Sequence, residues 1–126
     1  MNKEEQFNYI EENIPLQITR NSHRAVRHDF FKNINTELQA YLLGFFVADG
    51  GLNEKRKTFR VQLESRDSEI VNLYKDAICP EARMFYVPEK NVLGRHGEVY
   101  TRKPCCGIDI NSTILVTSLV ELGYGY

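Results

Sequence analysis

The chain has 126 residues, a size that suits one compact domain and leaves too little for two independent cores. With 42% hydrophobic, 26% charged and 11% aromatic residues it has the composition of an ordinary globular protein, which excludes disordered and fibrous classes. A net charge of −1 is unfavourable for a nucleic-acid partner, but clusters rather than totals bind phosphate, and the clusters are present. Lys55, Arg56, Lys57 and Arg60 face only Glu54 within residues 54–60. Arg20, Arg24, Arg27 and Lys32 face only Asp29 within residues 17–33. The plain alternative for both is a solvated face. No apolar run reaches the roughly 18 residues of a membrane span, and the polar start resembles neither a secretory signal nor a transit peptide, so a cytoplasmic location in the host cell is expected. Three cysteines, Cys79, Cys105 and Cys106, then read as free thiols rather than as zinc ligands.

In chain order, residues 4–13 predict a short amphipathic helix ended before Pro15. Residues 16–33 predict an irregular basic arm leading to Phe30 and Phe31, two anchors on the core. Thr36 to Gln39 has the form of a capping box, with Ile34 available as a hydrophobic staple. A helix follows from about 37 to Asp49, stopped by Gly50 and Gly51. Its stretch from Leu42 to Ala48 is apolar on every side, which predicts burial all round. Ala40, Gly44 and Ala48 recur every four residues and form a stripe on which a second backbone can approach closely. That partner is either another helix of the same subunit or the same helix of a second copy.

Residues 58–65 alternate, Phe59, Val61 and Leu63 on one side and Arg60, Gln62 and Glu64 on the other, which predicts a half-buried strand. Residues 53–57 read as the turn of a hairpin whose first strand starts near Gly51. Asp67 is expected to cap a helix over about 68–78. Residues 84–87 predict a third strand, and Cys106, Ile108 and Ile110 alternate in a fourth. Residues 88–104 read as a long polar connection with strand character around Val99 to Thr101. Asn111 or Ser112 caps a last helix, 113–122, closed by Gly123. The order αββαββα predicts an α+β domain, helices packed on one face of an antiparallel sheet and the polar face left open. Residues 1–31 form the N-terminal helix and basic arm, and 32–126 the main domain.

The nine residues Leu42, Leu43, Gly44, Phe45, Phe46, Val47, Ala48, Asp49 and Gly50 resemble the motif that names the LAGLIDADG homing endonucleases. Leu42, Gly44, Ala48, Asp49 and Gly50 match outright, and Val47 stands where an acidic residue is common. The lead-in from His28 to Ala40 and the junctions at Ser65–Ile70 and Ile108–Ser112 are similar as well, so the resemblance spans about residues 28–123. It implies the αββαββα homing-endonuclease fold, whose sheet forms a saddle for double-stranded DNA. The implied activity is that of a magnesium-dependent (or manganese-dependent) hydrolase of a mobile genetic element such as an intron.

The residues suit that chemistry. Phosphodiester cleavage requires an activated water and a counter-charge for the leaving oxygen, which divalent metals held between two carboxylates supply. Mg²⁺ keeps several waters and takes one or two protein carboxylates, so one Asp per helix, used twice, is sufficient. Asp49 is the expected catalytic, metal-binding carboxylate, and by resemblance the Ala48 carbonyl is a second metal ligand. The plain alternative for Asp49 is a helix-ending residue before a glycine pair. Arg60, Gln62 and Glu64 are candidates for base edges and Lys55, Arg56 and Lys57 for phosphates. Arg66, Arg102 and Lys103 are further candidates for backbone contacts, and Gln62 alternatively lies near the metal. The single-chain enzymes of the family carry two motif helices, whereas this chain has one and stops at Tyr126. It is therefore expected to be a homodimer through Ala40, Gly44 and Ala48 on a near-palindromic site, or the first half of a larger protein. The alternative is a non-catalytic nucleic-acid binder on the same fold: a maturase, a regulator or a truncated remnant.

Overall fold

Helix α1 spans Lys3–Asn13 in the computed structural model, which describes residues 2–19 and 23–123 apart from the side chains of residues 48–50. Asn2 caps it by accepting a hydrogen bond from the Glu5 amide at 2.8 Å, and Glu4 and Glu5 in the first turn favour the positive end of the helix dipole. Helix α2 spans Glu37–Asp49. Its start is the expected box in modified form. Thr36 Oγ1 accepts from the Gln39 amide at 3.1 Å, but Oε1 of the buried Gln39 reaches back to the Asn35 amide (3.0 Å) and the Thr36 hydroxyl (3.0 Å) rather than to the Thr36 amide. Gln39 also donates to the carbonyls of Phe30 and Asn33, both at 2.8 Å, so it ties the lead-in loop to the helix. Ile34 is exposed and makes no staple. A side chain from α1 does the stapling instead, since Gln6 Oε1 accepts from the Leu38 amide.

The strands are β1 Gly50–Asn53, β2 Thr58–Glu64, β3 Phe85–Val87, β4 Lys90–Leu93, β5 Val99–Arg102 and β6 Cys105–Asn111. Helix α3 covers Ser68–Ile78 and α4 covers Thr113–Glu121. Four strands form one antiparallel sheet in the order β1-β2-β6-β3. The chain is thus α+β with an antiparallel sheet, as the alternation predicts. The stretch between β3 and β6 departs from expectation, because strands β4 and β5 pair as a separate hairpin. Only Val92 and Leu93 signal β4, too few for an alternation. Its turn is readable in retrospect: Gly97 at φ 82 supplies the left-handed residue, and the Gly94 amide donates to the Glu98 carbonyl at 2.7 Å.

The caps of the later helices divide. Ser112, not Asn111, caps α4, accepting from the Leu115 amide at 3.0 Å, and Gly123 follows at φ 92. Asp67 occupies the N-cap position of α3 but makes no side-chain cap bond; residues Ser65–Asp67 form a 3₁₀ turn that delivers the chain into the helix.

Phe59, Val61 and Leu63 of β2 and Cys106, Ile108 and Ile110 of β6 point to the helix-covered face. There the Phe46 ring stacks on Phe59 at 4.9 Å, and Phe31 and Tyr74 each lie 6.0 Å from the same ring. The Tyr74 hydroxyl donates to the Leu42 carbonyl, binding α3 to α2. Each such fully buried large side chain contributes about 1.5–3 kcal/mol. Phe30 and Phe31 are buried anchors as predicted, and Ile10, Ile14 and Val26 join the same core.

The arm is less basic in space than in sequence. Gln17 and Val26 form an antiparallel bridge that turns the next two residues inward. Arg27 is buried, its Nε donating to the Ile14 carbonyl at 2.9 Å and its Nη1 to the Ala77 carbonyl at 3.1 Å. Burial pushes its pKa below the ordinary arginine value, with Glu11 acting in the opposite direction. His28 is buried between Ser112 and Gln17. The Gln17 carbonyl can only accept, so Nε2–H donates to it (2.9 Å), and Nδ1 shares a hydrogen bond with the Ser112 hydroxyl (2.6 Å), whose oxygen also accepts from the Leu115 amide. Arg27 is therefore a structural clamp between α1 and the end of α3, not a phosphate contact; Arg20 lies outside the described residues. Arg27→Met should lower unfolding stability by about 2–3 kcal/mol, because two buried carbonyls lose their charged donor. Urea unfolding measures this.

Candidate nucleic-acid interface

The strand register assigns the open face. Across β2 and β6, Thr58 pairs with Asn111, Arg60 with Asp109, Gln62 with Gly107 and Glu64 with Cys105, all opposite in parity to the core residues. Gly51 and Asn53 of β1 extend this face on one side, and Phe85 and Val87 of β3 extend it on the other.

At one end, the turn between β1 and β2 carries the basic tract. Asn53 Oδ1 accepts from the Arg56 amide at 3.0 Å, Lys57 adopts φ 55, and the Lys57 carbonyl accepts from the Ser112 amide at 2.9 Å. Thr58 Oγ1 donates to Asn111 Oδ1 at 2.9 Å, fixing the turn to β6. Lys55, Arg56, Lys57 and Arg60 line an open groove of about 870 Å³ together with Asp109 and Asn111. Four of the expected contacts thus converge.

At the other end Glu64, Arg66 and Lys103 share a recess of about 170 Å³. Arg66 Nε lies 2.9 Å from Glu64 Oε2 and Lys103 Nζ lies 3.9 Å from Glu64 Oε1. Glu64 is therefore held by two cations. These exposed pairs contribute little stability. Gln62 lies between the two groups, half-buried. Arg102 ends β5 opposite Lys90 on the separate hairpin and belongs to neither group. Asp109, Asn111 and Phe85 are open-face residues that were not among the expected contacts. The alternation of Cys106, Ile108 and Ile110 already implies the outward parity of Asp109 and Asn111.

Arg60 is engaged rather than free. Its Nε and Nη2 lie 2.6 and 2.8 Å from the two oxygens of Asp109, and its guanidinium carbon is 5.2 Å from the centre of the Phe85 ring. The hydrogen bond to Asp109 holds its pKa above the ordinary arginine value.

Asp49 is the last residue of α2, and the next residue, Gly50, pairs with Val61. The motif helix thus ends one residue before the β1–β2 ladder begins. The side chains of Ala48 and Asp49 lie outside the described residues. Upstream on the same helix, Leu42 and Phe46 are buried, but Tyr41 is 48% and Val47 52% exposed. The expectation of burial all round is not met within one chain, because the sheet and the other helices cover one side of α2 only. Ala40 and Gly44 are exposed, and a Cβ at Gly44 would meet nothing within 4 Å. Among the described residues no other helix occupies the small-residue stripe at Gly44.

Among the described residues no three His, Cys, Asp or Glu side chains are grouped to hold a metal ion. All three cysteines are free thiols, and burial pushes the Cys79 and Cys106 thiols up. No described helix is long and apolar enough to cross a membrane. The chain matches no family model, no curated protein and no solved structure.

Proposed function

We propose that this protein is a metal-dependent, site-specific endonuclease of double-stranded DNA, built on the LAGLIDADG fold and acting as a homodimer through α2. The observation that carries the reading is the placement of the motif helix. Its small-residue face is exposed at Gly44, and it runs at Asp49 directly into the edge strand of a sheet whose open face bears a basic groove. The order β1-β2-β6-β3 leaves β1 at the edge, so a second copy packed along Ala40 and Gly44 extends the saddle and places two residues 49 at its centre.

The donor set fits Mg²⁺ or Mn²⁺ under that arrangement. Each chain offers one hard carboxylate, Asp49, and the terminal carbonyls of a helix, of which the Ala48 carbonyl is the nearest in sequence; two chains complete the pair. Bound metal would supply a low-pKa water and a counter-charge for the leaving oxygen. The remaining residues bind and orient. Lys55, Arg56 and Lys57 hold phosphates on one side, Arg66 and Lys103 do so at the other end, and Gln62 is the open-face residue that follows Val61, the strand partner of Gly50.

The test begins with mass in solution and continues with cleavage of a randomised-site plasmid library in Mg²⁺. A discrete cleaved subset supports the reading; tight, selective binding without cutting replaces it with a non-catalytic binder. Reversing the charge at Lys55, Arg56 and Lys57 should weaken binding to every sequence and reduce the salt slope by up to about 0.9 per lost phosphate contact. Changes at Arg60 or Gln62 should instead alter base preference, by about 1–3 kcal/mol per lost bidentate contact. Equal effects of both sets on all DNA would show that the sheet's open face is not the reading face.

A further inference from the structure

Four open-face residues, Arg60, Asp109, Phe85 and Gly107, form a built cluster. Gly107 pairs with both Gln62 and Phe85, and a Cβ there would meet the Val61 carbonyl oxygen at 2.4 Å and Phe85 Cζ at 2.6 Å. The glycine is what lets an aromatic ring reach over the strand on the open side of the sheet. Arg60 then packs its guanidinium against that ring and donates Nε–H and one Nη2–H to Asp109.

A guanidinium has five N–H groups in a rigid plane. Asp109 takes two, from one edge. One hydrogen on Nη2 and two on Nη1 remain, and the outer pair on the two terminal nitrogens forms a parallel fork. The Arg60 side chain is 54% exposed, so this fork is accessible. Its ligand is constrained by charge. The Asp109 carboxylate beside the fork repels a phosphate, but a neutral acceptor pair meets no such penalty. A guanine edge in the major groove, with O6 and N7 side by side, is that acceptor pair.

We infer that Asp109 is a positioning residue that, with Phe85 over Gly107, presents Arg60 to one guanine in each half-site and makes that contact specificity-determining. This rests on the DNA-binding reading above. Holding the arginine before binding removes much of the ordering cost that a mobile side chain incurs at an interface.

The experiment is selection of duplexes from a pool with a randomised core, using the wild-type protein, Asp109→Asn and Phe85→Leu without divalent metal. Wild type should enrich a guanine at one position per half-site, and replacing it by 7-deazaguanine should weaken binding about tenfold or more. Asp109→Asn should flatten preference at that position only. It should also bind the unselected pool more tightly, with a salt slope steeper by about one, because Arg60 is released to phosphate. A purely structural role for Asp109 predicts neither the gain nor the single-position loss. Phe85→Leu should flatten the same position, and it decides the matter if Asp109→Asn fails to fold. Retention of the guanine preference in both variants overturns the inference while leaving DNA binding intact. Failure of the wild type to bind any duplex removes the DNA-binding reading itself, and this inference with it.

Discussion

Gly44→Leu is expected to abolish the proposed dimer while leaving the chain folded. Gly44 is exposed on α2 with nothing within 4 Å of where its Cβ would be, so the isolated subunit has room for a larger side chain. In an exposed helix interior, replacing glycine by leucine gains about 0.5–1 kcal/mol through backbone entropy. The monomer should therefore unfold at the same or a higher midpoint. The dimer has the opposite sign. Two helices that approached along Ala40 and Gly44 would be in close backbone contact, and a leucine at that contact would force their axes apart. Affinity for a near-palindromic site should fall by at least a hundredfold, since each half-site is then bound separately. Sedimentation equilibrium of both proteins gives the answer, with some loss of solubility expected as Tyr41 and Val47 stay uncovered. A wild-type chain that is monomeric at high concentration rules out the homodimer. A variant that still dimerises moves the interface to another face.

Much of this arrangement was legible in the residue pattern, and the parts that were not have identifiable causes. The alternation at Phe59, Val61 and Leu63 predicts both β2 and the outward face of Arg60, because a strand has a period of two and one face must be buried. Helix α2 is bounded by Thr36 and the glycine pair, and both ends hold. The apolar composition of α2 predicts burial all round, yet composition reports only the capacity to be covered, and Tyr41 and Val47 stay exposed in the single chain. Of the β4–β5 hairpin only the second strand carries a signal, around Val99 to Thr101, because the two apolar residues of β4 are too few to show a period. Arg27 and His28 read as part of a basic arm since nothing local distinguishes a solvated cation from one that donates to distant carbonyls; Ile14 and Ala77 lie 13 and 50 residues away from Arg27. Asp109 is the same case on the candidate interface. Its parity was readable, whereas its pairing with Arg60 depends on the β2–β6 register, a non-local fact.

That pairing changes the electrostatic picture of the face. With Arg60 neutralised by Asp109, and Glu64 shared by Arg66 and Lys103, attraction for phosphate falls chiefly to Lys55, Arg56 and Lys57 at the turn. Under the proposed function the labour divides: the turn would supply salt-sensitive affinity, and the centre of the sheet would be left to base edges and to position 49.

Asp49→Asn should abolish cleavage rather than slow it. In a symmetric dimer a single substitution removes both metal-binding carboxylates, and an amide oxygen carries no charge to hold a divalent ion beside phosphate. The expected loss is on the order of a thousandfold or more, equivalent to about 4 kcal/mol of transition-state stabilisation. Binding should persist and tighten in the absence of metal, because two carboxylates facing the scissile phosphates repel them. Fold stability should be equal or slightly higher in the variant. Asp49 ends α2, where a negative side chain opposes the helix dipole, an unfavourable contribution of about 0.3–1 kcal/mol that asparagine removes. Saturating Mg²⁺ should then stabilise the wild type and not the variant, since only the wild type gains binding free energy from the metal. The decisive measurement is nicking and double-strand cleavage of a selected site, with and without Mg²⁺ or Mn²⁺, beside thermal unfolding under the same conditions. A wild-type protein that binds its site tightly, gains no stability from either metal and never cuts would leave Asp49 as a helix-ending residue and the protein as a DNA-binding module.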